Sequence, residues 1–140
     1  LDFNLVTTLI DMANLKAIVQ LGGKEFDVIS YHIEFSRKTD TKGRPVTDVI
    51  GGRLTISIEA YKDTSIVEAM LNGFCKPLSG RLKFLNSEVG DVLRIIEFKC
   101  AYLVHYKETF NVDRKRPFLI SVTFSSDVII IGDALLNNRW

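Results

Sequence analysis

Two adjacent glycines, Gly22 and Gly23, separate two runs in which apolar and polar residues alternate, and this feature constrains the fold most strongly. The run from 15 to 21 places an apolar side chain at every second position, as expected for a strand with one buried face. The run after the glycines continues with Phe26 and Val28 on one face. A tight turn between strands needs positive φ angles, which glycine adopts freely. The sequence therefore predicts a β-hairpin.

Alternation of this kind recurs along the chain and predicts further strands. The parity of the second run changes near Ile29 and Ser30, so a β-bulge is expected there to restore the register. A later, longer run changes parity near Ile95 and Ile96, and its pattern places Cys100 on the buried side. The further strands are predicted at 54–60, 81–85, 92–107 and 117–125, with a last short strand at 128–131.

One segment departs from the two-residue period and predicts a helix. It begins with Ser65-Ile66-Val67-Glu68, which has the spacing of a capping box, in which the serine and glutamate side chains satisfy backbone amides of the first turn. It ends near Gly73. A single apolar stripe along this helix contains Ile66, Val67, Met70, Leu71 and Phe74.

The residues from 36 to 50 are polar and rich in turn formers around Lys42-Gly43-Arg44-Pro45. A connection of this length in a small domain is commonly functional or disordered, so it is interpreted as a long loop or projecting arm, the alternative being a mobile surface loop. Short strands, corner bulges and one helix predict a mainly β fold, an antiparallel barrel or sandwich with one α-helix and a long projecting loop.

Length and charge suggest one packed domain without a strongly charged partner. The chain has 140 residues, and 18 basic against 17 acidic side chains give a net charge of +1, which favours neither nucleic acid nor an anionic membrane surface. Two cysteines without a framework spacing favour a reducing compartment, and the sequence shows neither a signal peptide nor a membrane span. Residues 12–140 are expected to form the domain. Residues 1–11 are either derived from cloning or an apolar extension that docks on a neighbour.

No pattern in the sequence predicts an active site, a metal site or a cofactor site. The glycine-rich phosphate loops, the nucleophile elbow and the zinc-protease signature are absent. His32 and His105 lie inside predicted strands, and a structural role is expected for both. The basic cluster 114–116, with Lys107, is interpreted as a solvated turn. The chain is therefore expected not to be an enzyme, and Cys75 and Cys100 are expected to be structural.

An ordered series of short segments resembles the Hcp (TssD) family, in its Bacteroidetes branch. The series contains Met12-Ala13 before a strand, Gly23-Lys24-Glu25-Phe26-Asp27-Val28, Asp40-Thr41-Lys42-Gly43-Arg44-Pro45, Gly51-Gly52, Asp63-Thr64-Ser65 at the start of a helix, and Trp140. Each piece alone is a weak match, and the order of the pieces carries the resemblance.

The resemblance implies the inner-tube protein of a type VI secretion system. Such a protein is a barrel that closes into a homo-hexameric ring, and its rings stack into a hollow tube inside a contractile sheath. Implied partners are further copies of the chain, sheath and spike proteins, and secreted effectors. The implied location is the cytoplasm during assembly, followed by secretion or injection into a target cell.

The arm and the carboxyl-terminal residues are the candidate subunit contacts. The arm leaves polar groups and a stiff proline tip available to neighbours, with Arg44 expected to bind a neighbouring carboxylate. Trp140 is expected to belong to a second patch used in axial stacking. The candidate interface residues are Arg37, Thr41, Lys42, Gly43, Arg44, Pro45, Val46 and Trp140.

Three alternatives fit the same pattern of strands. The first is a tail-tube protein of a phage or of an extracellular contractile particle. The second is a monomeric barrel that binds a small molecule in an interior cavity. The third is a hydrolase in which Glu59 and Glu97 converge in a cleft as an acid and base pair.

Overall fold

The computed structural model describes residues 14–73 and 76–140. The predicted extension 1–11, the segment Met12-Ala13, and the residues Phe74 and Cys75 lie outside the described part. In chain order the elements are β1 (Leu15–Leu21), β2 (Lys24–Ile33), β3 (Arg53–Ile58), α1 (Ser65–Asn72), β4 (Leu78–Asn86), β5 (Val92–Phe110), β6 (Phe118–Ile131) and β7 (Ala134–Asn137).

The first hairpin forms as the alternation predicts. Gly22 and Gly23 have φ angles of 53° and 82°, and the antiparallel ladder begins immediately beside them, where Leu21 pairs with Lys24. Val19 of β1 and Phe26 of β2 are opposite each other and both buried. The glycines therefore set the register that places the apolar face of both strands inside.

The strands form one antiparallel sheet that closes on itself. Their order is β3-β2-β1-β4-β5-β6-β7, and β3 also pairs with β6 from Arg53 opposite Ser125 to Ile58 opposite Ile120. Six strands thus make a barrel, and β7 extends the sheet beyond the closure by pairing with the end of β6. Of the two architectures predicted, the barrel is confirmed.

Side chains fill the barrel interior. The inward positions of every barrel strand contribute, and β3 and β6 supply Leu54, Ile56, Ile58, Val122 and Phe124, which are fully buried. Phe98 of β5 packs against Phe124 with the ring centroids 5.0 Å apart. Burial of apolar side chains is the main favourable term in folding, so these residues form the hydrophobic core that stabilises the barrel.

Irregularities of strand pairing lie at or near both predicted bulges. The pairing of β2 with β3 shifts between Val28 and Ser30, as predicted. In β5, Ile96, Phe98 and Ala101 are buried, and the inward set changes parity at Cys100, which is exposed and has a φ of 52°. The pairing of β5 with β4 also shifts between Arg94 and Val92, so an irregularity lies close to the predicted position near Ile95. The prediction of a buried Cys100 was wrong, and Ile95 faces outward, because apolar residues near the start of β5 also occupy the outer face.

The last predicted strand is a continuation of β6. Ser126 stands where the buried set of β6 changes parity, and it is fully buried. Its hydroxyl lies 2.9 Å from the Lys99 carbonyl oxygen and 2.7 Å from that of Val128. The buried hydroxyl of Ser126 therefore has hydrogen-bond partners inside the sheet. The strand β6 continues through this change of parity to Ile131.

The helix forms at the predicted place but not with the predicted cap. Thr64 is the N-cap residue, and its hydroxyl donates to Glu68 at 2.8 Å. The Asp63 carboxylate accepts hydrogen bonds from the backbone N–H of Ser65, at 2.8 Å, and from its hydroxyl. The capping-box prediction was wrong because the nearby carboxylate binds both donors of the serine. Ile66 is the buried residue of this helix.

Among the described residues, α1 is the helix present, and its eight residues are too few to cross a membrane.

Candidate subunit interface

The connection between β2 and β3 is a projecting hairpin, called the arm below and comprising residues 36–50. Ser36 and Ile50 exchange backbone hydrogen bonds of 2.9 and 2.6 Å at its base, and Thr39 bridges to Pro45 further out. No residue of the arm is buried. The arm therefore has internal order although its own barrel does not cover it.

The arm tip is organised by the Asp40 carboxylate. Its oxygens accept hydrogen bonds from the backbone N–H of Lys42 at 2.9 Å, from that of Arg44 at 3.0 Å, and from Arg44 Nε at 2.9 Å. The backbone N–H of Arg44 is the main reason that the pKa of Asp40 lies below its ordinary value. Gly43 has a φ of 82° and closes the turn. The tip is thus a defined surface at neutral pH.

The predicted interface residues of the arm all lie on this exposed hairpin. Arg37 Nη1 donates to the Thr47 carbonyl oxygen at 3.3 Å, which ties the two arm strands together. In the single chain the Arg44 guanidinium binds Asp40 of its own arm, so its expected bond to a neighbour's carboxylate stays a prediction. The remaining predicted residues are exposed: Thr41, Lys42, Gly43, Pro45 and Val46.

The base of the arm is joined to the carboxyl-terminal residues. The Asn138 side-chain amide lies 3.2 Å from the Gly51 carbonyl oxygen and 3.0 Å from that of Ser126. Gly52 has a φ of 112°, and its carbonyl oxygen accepts the Ser126 backbone N–H at 2.6 Å. This arrangement fixes where the arm leaves the barrel. The sequence marked this place only through the two glycines, and the role of Asn138 was missed.

Trp140 lies on the outside of the barrel next to this junction. Its ring stacks on Tyr102 of β5 with the centroids 5.5 Å apart, and its backbone N–H donates to Asp127 Oδ1 at 3.0 Å. The residue remains 61% exposed. The structure thus brings the carboxyl-terminal candidate residue and the base of the arm to one side of the molecule through Asn138.

Glu59 and Glu97 do not converge as a catalytic pair would. Glu59 binds Arg116 at 2.9 Å, and Glu97 binds Arg81 at 3.0 Å. Glu59 follows Ile58, which pairs with residue 120 of β6, whereas Glu97 pairs with residue 130. Ten residues of strand span roughly 30 Å, so the carboxylates are far apart. The hydrolase alternative required them to meet, and it was wrong.

The Glu59 carboxylate has a structural environment. It accepts the hydroxyl of Tyr61 at 3.1 Å, and this hydrogen bond raises the pKa of Tyr61. Its partner Arg116 belongs to the basic cluster, which lies in an exposed turn between β5 and β6 closed by a hydrogen bond from Asn111 N–H to Pro117 O. The solvated-turn interpretation of the cluster therefore fits, with Arg116 bracing the end of β3.

The two histidines lie on strands, as predicted. His32 is exposed and contacts Glu34 at 2.9 Å, and His105 is exposed on β5. Across residues 14–73 and 76–140, no three or more histidine, cysteine or acidic side chains are grouped as a metal site would require.

Comparison with solved structures places this architecture in a defined class. The chain is similar to Hcp1 from Flavobacterium johnsoniae, with a TM-score of 0.84 and 28% identity over 88% of this chain and 99% of that chain. It resembles Hcp1 from Salmonella typhimurium, with a TM-score of 0.64 and 12% identity over 83% of this chain and 84% of that one. A chain of the PVC sheath–tube complex, an extracellular contractile injection system, gives a TM-score of 0.58 and 14% identity over 85% and 89%.

Proteins named Hcp and a component of a contractile injection system thus share the fold of this chain. The family profile "Hemolysin coregulated protein Hcp (TssD)" matches residues 13–140. The chain belongs to this family. No curated protein matches it significantly.

Proposed function

We propose that this chain is the tube subunit of a type VI secretion system. Six copies close into a ring, and the rings stack into a hollow tube that a contractile sheath surrounds and a spike protein caps. The tube carries effectors out of the cell that assembles it. Membership in the Hcp (TssD) family over residues 13–140 supports this function, as does the likeness to a sheath–tube component.

The observation that carries the proposal is the exposed, ordered arm. Holding a hairpin away from the barrel costs backbone entropy, and burial against its own chain does not offset that cost. Val46, for example, is 60% exposed near the tip. A second copy that covers the arm supplies the missing burial, and an arm that reaches an adjacent ring connects the rings axially.

A mechanical role agrees with the filled interior. The side chains of Leu54, Phe98 and Phe124 occupy the inside of the barrel and are fully buried. The side chains of the core and the separation of Glu59 from Glu97 likewise favour a structural protein over a monomeric ligand-binding barrel or a hydrolase.

The tube of an extracellular contractile particle is the second candidate, and the likeness to the PVC complex favours it. The match to Hcp1 from Flavobacterium johnsoniae is closer in both TM-score and identity, so the type VI tube is preferred. Under either candidate the subunit assembles in the cytoplasm and leaves the cell as part of the tube. The genes next to its own distinguish the candidates.

The test is the mass and shape of the purified protein. We expect particles of six times the 15.8 kDa chain mass in solution, and stacked rings in negative-stain micrographs at high concentration. A 15.8 kDa particle that persists at high concentration would refute the proposed function.

A further inference from the structure

The outer face of the barrel carries an apolar surface where β5 begins and β6 ends. Ile95 faces outward, because its neighbour Ile96 is fully buried. Glu97, also outward, pairs with Ile130, and Ile130 pairs with Leu135 of the edge strand β7. These outward aliphatic residues lie on adjacent strands, and together with Leu93 they form what we call the sheet patch: Leu93, Ile95, Ile130 and Leu135.

The sheet patch breaks the polarity of the barrel surface. Outward positions on β3 are all polar, namely Arg53, Thr55 and Ser57, whereas Leu93 and Leu135 are 54% and 65% exposed. A groove of about 660 Å³ runs along the patch between β5 and β6. An antiparallel strand with one face in water normally alternates apolar inward residues with polar outward residues. The patch therefore has the composition of a surface that another element covers.

A second uncovered apolar surface lies on α1. Ile66 is the residue of this helix that the barrel buries, while Leu71 is 75% exposed. Val67 precedes Leu71 by one helical turn and shares its side of the helix. Eight residues are too few for a stable isolated helix, so packing on this face would stabilise α1. Val67 and Leu71 are called the helix patch below.

Charged residues border both patches, and within the sheet patch the carboxylate of Glu97 is bound by Arg81 at 3.0 Å. Lys83 of β4 is directly opposite Ile95 on the outer face of the sheet. Glu68 lies three residues before Leu71 and therefore next to it on the helix surface. When the helix patch of one copy contacts the sheet patch of another, the apolar residues of the two patches face each other. Glu68 of the first copy then faces Lys83 of the second. Such complementarity fixes register and partner.

We propose that the helix patch of each subunit docks on the sheet patch of the next subunit around the ring. The inference rests on the proposed function, because it names the faces that join within the ring. A ring closes through head-to-tail contacts, which require two different complementary surfaces on every copy. The helix and sheet patches are two such surfaces, and the occupant of each is a second copy of this chain.

The test blocks one patch at a time. Leu71→Asp places a negative charge in the helix patch, and Leu135→Asp places one in the sheet patch. Burying either charge in a subunit contact is costly, so each variant blocks its own patch. Each variant alone is expected to lose the ring and run at the 15.8 kDa monomer mass. Mixed in equal amounts, the two variants keep one intact patch each, so they are expected to form a heterodimer of twice that mass and nothing larger. Val112→Asp, at a 73% exposed residue beyond β5, is the matched control and should keep the ring.

A second pair, Val67→Asp with Ile95→Asp, should give the same result, and circular dichroism checks that every variant is folded. Rings from Leu71→Asp, or a mixture of folded variants that stays monomeric while wild type forms rings, would overturn the inference and leave the proposed function standing. A monomeric wild type would overturn both.

Discussion

Asp63 is the residue whose charge connects the helix to the first hairpin. Its carboxylate accepts both donors of Ser65 and binds Lys24 Nζ at 2.9 Å. The hydrogen bond from the Ser65 hydroxyl is the largest cause of the low pKa of Asp63, which falls from 3.8 to about 2. The carboxylate therefore stabilises the folded state while it is ionised, and not when it is protonated.

Asparagine at position 63 keeps an acceptor oxygen for Ser65 but removes the negative charge that binds Lys24. Asp63→Asn should therefore destabilise the chain by about 1 kcal/mol near neutral pH, the typical difference between a hydrogen bond to a charged group and one to a neutral group. Because the pKa is lower in the folded state, the contribution is complete above about pH 4 and is lost as the pH falls towards about 2. The difference in unfolding free energy between wild type and Asp63→Asn should shrink over that interval. Urea denaturation at a series of pH values measures it. Asp48→Asn on the exposed arm is the control, and an equal effect from it would contradict the assignment.

Gly52 occupies a position that no other residue fits. Its φ of 112° is unfavourable for L-residues, and a Cβ there would lie 2.7 Å from the Ser126 carbonyl oxygen and 2.5 Å from Asn138 Nδ2. Gly52→Ala should therefore cost about 2 to 3 kcal/mol. Gly90→Ala is matched, since Gly90 also has a positive φ but open space around it, and it should cost about 1 kcal/mol. Equal midpoints of thermal unfolding for the two variants would show that the collision at the arm base is relieved.

At the scale of secondary-structure elements, the sequence predicts those features that depend on neighbouring residues in the chain. The hairpin at Gly22 and Gly23 and the bulge near Ser30 follow from alternation and turn chemistry, which are properties of neighbouring residues. The helix position follows for the same reason. Closure of the sheet through β3 and β6 depends on pairing between residues far apart in the chain. The sequence pattern therefore could not distinguish a barrel from a sandwich.

The predictions from the sequence pattern were wrong or incomplete where contacts between distant residues determine the structure. The parity of β5 was misread because Ile95 is apolar yet faces outward, so the inward set could not be recognised from hydrophobicity. The joining of β6 across Ser126 depends on acceptors at Lys99 and Val128 that only the folded sheet brings close. Asn138 was missed at the arm base because a single asparagine in a tail carries no periodic signal.

The arm is an element that can be removed without touching the core. Shortening residues 39–47 to a tight turn deletes the tip held by Asp40 and leaves the barrel core intact. The variant should fold with an unchanged circular dichroism spectrum and form single rings, but no stacks, in negative-stain micrographs. Tubes of normal length from this variant would show that the arm has no part in stacking.

The carboxyl-terminal residues form a separate axial candidate. Trp140→Ala removes the ring that stacks on Tyr102 while the backbone bond to Asp127 can persist. If the tryptophan belongs to the stacking patch, tube length should fall while ring mass is unchanged, because interface tryptophans often carry a large share of binding energy. Trp140→Phe keeps an aromatic ring and is the control that should retain more of the stacking. Full-length tubes from the alanine variant would eliminate Trp140 from the stacking patch.

At the scale of the whole molecule, the barrel has its own hydrophobic core, and the arm and the two patches lie outside that core. Among the described residues, the buried ones lie on the barrel strands except for Gly52, Ala60 and Ile66, whereas no residue of the arm, the helix patch or the sheet patch is buried. Substitutions on those surfaces should therefore change assembly more than folding. This separation lets interface variants be compared as folded proteins.

Assembly should also make the stability of the chain depend on its concentration. Because subunit contacts form only in the folded state, each tenfold rise in protein concentration can stabilise it by up to about 1.4 kcal/mol. The unfolding temperature of wild type should rise over a concentration series, while that of Leu71→Asp should stay constant, since its helix patch is blocked. Calorimetry at several concentrations measures both. A wild-type unfolding temperature that does not change with concentration would mean that the barrel gains no stability from its neighbours, which contradicts burial of these patches in a ring.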